Sequence, residues 1–115
     1  MTPATQQQPE PRPGGESVTL SLLSYLDFRA RTKALLEDDL MARRDLGIER
    51  YGTELTTENG RDPLVDAYQE ALDLALYLRQ AAITGPSAPV DLFSLTDRAV
   101  EIAVWLKELI ERERP

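Results

Sequence analysis

"GRDPLVDAYQEALDLALYLRQ", residues 60–80, decides the fold class. At about 100° per residue, Asp66, Glu70, Asp73 and Tyr77 fall within about 60° of one another on a helical wheel. Leu64, Ala67, Tyr68, Ala71, Leu74, Ala75 and Leu78 take up the opposite, wide arc, so the stretch is an amphipathic helix with one acidic stripe. Asp62 followed by Pro63 is a good helix start, because the carboxylate caps free N–H groups and proline has none to lose at the first helical position. The spacing carries this helix to about Ala82.

Upstream, residues 17–62 contain no proline, and Leu20, Leu23, Leu26, Leu36, Leu40, Leu46 and Ile48 recur at roughly helical intervals. One long helix and two shorter ones fit equally well. Gly52, after Tyr51, is a helix stop that takes the left-handed conformation without a Cβ clash, and "GTELTTENGR" (52–61) then reads as a loop. Downstream, "TGPSAP" (84–89) is a connector, and Asp91 or Ser94 caps a last helix carrying Leu92, Leu95, Val100, Ile102, Ala103, Leu106 and Ile110. Trp105 on that helix is expected to pack in a core or a subunit interface. Strand patterning is weak throughout, so the expected fold class is all-α. The helices are few and their apolar faces broad, which points to a bundle completed by oligomerisation into a dimer or tetramer.

Residues 1–16, "MTPATQQQPEPRPGGE", hold four of the eight prolines and no large apolar residue after Met1. Such a segment offsets little of the entropy of ordering and is expected to be a disordered tail preceding a 17–115 domain. At 115 residues, 42% apolar, 29% charged and net charge −7, the chain suits a globular domain with no electrostatic footprint for polymeric nucleic acid or an acidic membrane. It has no cysteine and no histidine, which excludes thiolate, imidazole and structural-zinc chemistry and leaves carboxylates as the candidate reactive groups. No signal-like N-terminus and no spanning apolar run is present, so a cytoplasmic location is expected.

An amphipathic helix often carries acids only because that side is wet. Here, however, Asp66–Glu70 and Glu70–Asp73 are like-charged neighbours, each destabilising by roughly 0.2–0.5 kcal/mol, and a cation relieves that. The preceding helix offers a second set, Glu37, Asp38 and Asp39, with Asp45 and Glu49 continuing the Asp38 side. Without histidine, magnesium or manganese is the expected ion, held between the 35–51 and 62–82 helices.

"IERYGTEL" (48–55), "NGRD" (59–62) and "DAYQEALDLALYLRQ" (66–80) together resemble the small MazG-like members of the all-α nucleoside triphosphate pyrophosphohydrolases, in particular phage-type dATP/dGTP diphosphohydrolases. The resemblance covers about residues 35–82. That family pairs a Glu-Glu-x-x-Glu group with a Glu-x-x-Asp group around magnesium. Glu70 and Asp73 match the second group. Glu37 and Asp38 fill the first two positions of the first, but Met41 stands at the third. Either Asp39, Asp45 or Glu49 completes the shell or the group is incomplete. The resemblance implies hydrolysis of a nucleoside triphosphate, with purine dNTPs favoured, to the monophosphate and pyrophosphate.

Metal ligands are then expected among Glu37, Asp38, Asp39, Glu70 and Asp73, with Asp38, Asp66 and Glu70 in catalytic roles. Arg43, Arg50 and Arg61 are candidates for the phosphates, since guanidinium forks match phosphate oxygens. Asn59 either reads a base edge or makes an Asn-Gly turn, and Tyr51 and Tyr77 either stack on a base or pack. The alternatives are a helical interaction module that kept the fold without the chemistry, and a relative acting on dUTP or a phosphoribosylated nucleotide.

Overall fold

The computed structural model describes residues 2–85 and 89–113, and the side chains of 89 and 90 are not described. The chain is all-α: α1 (Val18–Tyr25), α2 (Ala30–Tyr51), α3 (Pro63–Thr84) and α4 (Pro89–Glu113). No helix among the described residues is long and apolar enough to cross a membrane. By contacts the chain divides into two units, Gln8–Arg61 and the flanking residues Met1–Gln7 with Asp62–Pro115.

In the first unit the 17–62 region resolves into two helices. Leu26 closes α1 with its N–H on Leu22 O, and Arg29 N–H turns back to Leu26 O at 2.8 Å. Lys33 Nζ reaches from the first turn of α2 to Asp27 Oδ1 at 2.6 Å, which fixes the corner. The break holds neither glycine nor proline; the N–H groups of Leu26 and Asp27 turn back to Leu23 O and Ser24 O in a tightened last turn. Ser17 caps α1 through Leu20 N–H. Leu23 and Leu26 are buried as expected, whereas Leu20, Leu36 and Ile48 are exposed and α2 buries no residue fully. An eight-residue α1 is too short to cover the 22-residue α2.

Helix α2 ends as its local chemistry dictates. Gly52 sits at φ 75° with its N–H on Ile48 O, a conformation a Cβ would penalise. Residues 52–61 are non-helical and run antiparallel to residues that were expected to be a disordered tail. Val18 N–H bonds Leu55 O, Thr57 N–H bonds Glu16 O, Glu58 N–H bonds Gly14 O, and Arg12 N–H bonds Asn59 O. Gly14 N–H and Glu16 N–H are taken by the Thr56 and Thr57 hydroxyls. Proline-rich composition hid this because the partner segment lies some forty residues away.

In the second unit, Asp62 caps α3 as its sequence predicts, accepting from Leu64 N–H at 3.0 Å and Val65 N–H at 3.3 Å with Pro63 in the first turn. The helix runs to Thr84, two residues beyond the expected end. Its core face, Leu64, Val65, Tyr68, Ala71 and Leu72, packs on Ala103, Leu106 and Ile110 of α4. Gln69 Nε2 donates to the carbonyls of Pro3 and Gln6, so residues of the expected tail lie against α3 as well. Helix α4 begins at Pro89, which makes Asp91 a first-turn acid and Ser94 an interior residue, neither of them the cap. The middle of the 84–89 connector and the end of "ERERP" lie outside the described residues. Trp105 is 61% exposed and so is not part of this core.

Candidate functional site

One face of α2 builds a cavity inside the Gln8–Arg61 unit. Leu40, Arg44, Gly47 and Tyr51 recur at spacings of four, three and four, which places them within about 60° on the wheel, and Arg43 flanks them. The 53–61 loop supplies Thr53, Glu54, Leu55, Asn59 and Arg61, and the N-terminal segment supplies Glu10 and Pro11. The volume is about 420 Å³, within the range of small-ligand pockets. Gly47 opens space there, since a side chain at its position would stand beside the cavity wall.

Three arginines, Arg43, Arg44 and Arg61, and two glutamates, Glu10 and Glu54, line the cavity. Arg44 Nη2 donates to Glu54 Oε2 at 3.0 Å, and the Ser17 hydroxyl donates to Glu54 Oε1. The Arg44 hydrogen bond, joined by that from Ser17, holds the Glu54 carboxyl below its ordinary value, and the same pair raises Arg44. Arg44 Nε is buried with no partner among the described residues. Arg61 Nη1 donates to Pro9 O at 2.7 Å.

Asn59 is buried, and its Oδ1 accepts from Arg61 N–H at 3.1 Å. Of its two expected roles the structure thus displays the turn: an Asn-Gly corner, with Gly60 at φ 84°, that aims Arg61.

Of the residues expected to contact substrate, Arg43, Asn59 and Arg61 come together here, and Tyr51 joins them. Arg50 is exposed in the last turn of α2 and does not line the cavity, and its charge suits the helix C-terminus. Tyr77 is 67% exposed on α3, in the other unit. Arg44, Glu54, Glu10 and Pro11 were not foreseen. The α2 face carried a signal for Arg44 in its i, i+4, i+7 and i+11 spacing. No comparable signal marked Glu10.

No family profile matches the chain, and no curated protein and no solved structure is similar enough to match it.

The acids expected to bind metal are on helix surfaces. Asp38, Asp45 and Glu49 share one side of α2, about 150° around the wheel from the cavity face, and Glu37 and Asp39 lie between; all five are exposed. On α3, Asp66 is half-buried and Glu70 and Asp73 are exposed, on the side opposite the Val65–Tyr68–Ala71 core. Within either unit, no group of three or more acids among the described residues stands ready to hold a metal ion. Glu70 and Asp73, one turn apart, fit the sparser mode in which magnesium takes one or two carboxylates, waters and phosphate oxygens.

Proposed function

We propose that the chain is a magnesium-dependent nucleoside triphosphate pyrophosphohydrolase of the MazG-like kind, converting a dNTP and water to dNMP and pyrophosphate. The observation that carries this reading is the cavity of the Gln8–Arg61 unit, which gathers Arg43, Asn59 and Arg61 with Tyr51. Guanidiniums match phosphate oxygens, and a tyrosine ring offers a stacking face to a base. The magnesium dependence rests on the sequence resemblance, which Glu70 and Asp73 of α3 match. Glu70 and Asp73 would hold the ion, and Asp66 one turn earlier would orient the attacking water. Bound magnesium would neutralise charge on the phosphates. The water oxygen would add to the α-phosphorus as its proton passes to Asp66, the bond from that phosphorus to the α–β bridging oxygen would break, and pyrophosphate would leave with that bond's electron pair. Glu37, Asp38 and Asp39 enter this reading through the sequence resemblance alone. Purine dNTPs are the proposed substrates on the strength of the sequence resemblance.

The active form is proposed to be a homo-oligomer. Ile102, Trp105 and Leu109 share one exposed flank of α4, and Phe93, Val100 and Val104 another; neighbouring exposed apolar side chains mark surfaces of association.

A second reading is a nucleotide-binding helical module without turnover, favoured by Met41 standing where the resembled pattern places an acid. Thermal melting with each of the four dNTPs, with and without magnesium, separates them when product is assayed in parallel. A ligand at about 100 times its Kd stabilises by about 2.7 kcal/mol. A nucleotide-dependent rise in Tm with pyrophosphate release supports the enzyme, and a rise without release supports the module. No rise and no release with any dNTP overturns both.

A further inference from the structure

We propose that the N-terminal segment Pro9–Gly14 is a wall of the ligand site, a strap that must be seated for the cavity to bind its nucleotide; this rests on the nucleotide reading above. Glu10 and Pro11 line the same cavity as Arg43, Tyr51 and Arg61. The strap is fastened at three points. Pro9 O accepts from Arg61 Nη1, Arg12 N–H donates to Asn59 O at 3.2 Å, and Gly14 both donates to Thr56 Oγ1 and accepts from Glu58 N–H. Two of these fasteners, Asn59 and Arg61, are themselves cavity residues, so the position of the strap and the geometry of the site are set together.

The two glycines of "PGGE" make this seating possible. A Cβ at Gly14 would stand 2.5 Å from Glu58 O, which is backbone and has no room to retreat. Gly15 adopts φ +78°, and a Cβ there would collide with the Thr57 hydroxyl. Only glycine allows the close approach. Neither residue lines the cavity, so substituting them detaches the strap without touching the ligand's other contacts.

The test compares wild type, Gly14→Val and Gly15→Val in the full chain, titrated with dGTP and with inorganic tripolyphosphate, with helicity followed by circular dichroism and amide exchange followed at Arg12 and Gly14. The expected result is unchanged helicity, loss of protection at Arg12, and at least about tenfold weaker dGTP binding in both variants, because a detached strap has to be ordered again by the ligand. In wild type, dGTP further slows exchange at Arg12 and Gly14. Wild-type binding of dGTP with equal affinity in the variants, or strap amides that exchange freely in wild type, would overturn the strap while leaving the nucleotide reading standing. Wild type that binds neither probe overturns the nucleotide reading and the strap with it. Should one valine variant lose helicity, the exchange measurement on wild type and the other variant still decide.

Discussion

Replacing Asp62 by alanine removes the carboxylate that closes the N-terminus of α3, the helix that carries Asp66, Glu70 and Asp73. Its Oδ1 accepts from Leu64 N–H at 3.0 Å and from Val65 N–H at 3.3 Å, and Val65 is the one fully buried large side chain among the described residues. Losing such a cap destabilises by about 0.5–2 kcal/mol. Losing a negative charge at the positive end of a helix adds about 0.3–1 kcal/mol. The two contributions overlap, so the expected loss for Asp62→Ala is about 1–2 kcal/mol. Asp62→Asn keeps an acceptor and loses only the charge, so it should lose no more than about 1 kcal/mol. Each kcal/mol lowers the melting temperature of a domain of this size by about 4–8 °C, read by circular dichroism at low ionic strength. An alanine variant no less stable than the asparagine variant would show that the cap hydrogen bonds contribute nothing, and the account of why α3 begins where it does would fail.

Three further outcomes follow from the geometry. Gly47→Ala should stabilise α2 by up to about 1 kcal/mol, the helix-propensity difference, since its Cβ would meet nothing closer than Thr53 O at 3.9 Å; Gly47→Leu should keep helicity but occupy the cavity and abolish nucleotide binding in a titration. Glu54 has its carboxyl lowered in the folded chain by Arg44 and then Ser17, so its contribution is fully present above the ordinary value of 4.5 and is lost as pH falls below it. Melting of wild type and Glu54→Gln should therefore differ at about pH 7 and draw together as pH falls below 4.5, and a constant difference would contradict that. Trp105→Glu should shift sedimentation toward smaller species while α3 and α4 stay helical, and an unchanged mass distribution would remove that flank from the proposed oligomer.

The parts of the fold legible in the sequence are those whose cause lies within a few residues. Asp62-Pro63 and Gly52 act on N–H and C=O groups one turn away, and both ends of the 52–62 loop follow from them. The α1–α2 corner was left open because Asp27 and Lys33, not a glycine or proline, make it. The cavity was half legible. Arg43, Asn59 and Arg61 were candidates for substrate contact from their own stretches, but Glu54 enters only through pairing with Arg44 across the end of α2. The strap was illegible because the need for glycine at 14 and 15 exists only once residues 57 and 58 lie against them. The acidic stripe was read correctly as a stripe, opposite the α3 core. Its chemistry depends on partners that helical periodicity does not specify.

The most direct test of the proposed function is to incubate the protein with each of the four dNTPs and magnesium in ¹⁸O-enriched water and identify the products by mass spectrometry. The account predicts pyrophosphate and dNMP in equal amounts, with one ¹⁸O in the dNMP, and loss of the reaction in Glu70→Gln and Asp73→Asn. Release of orthophosphate, label in the pyrophosphate, full activity in those variants, or no turnover of any dNTP would contradict it.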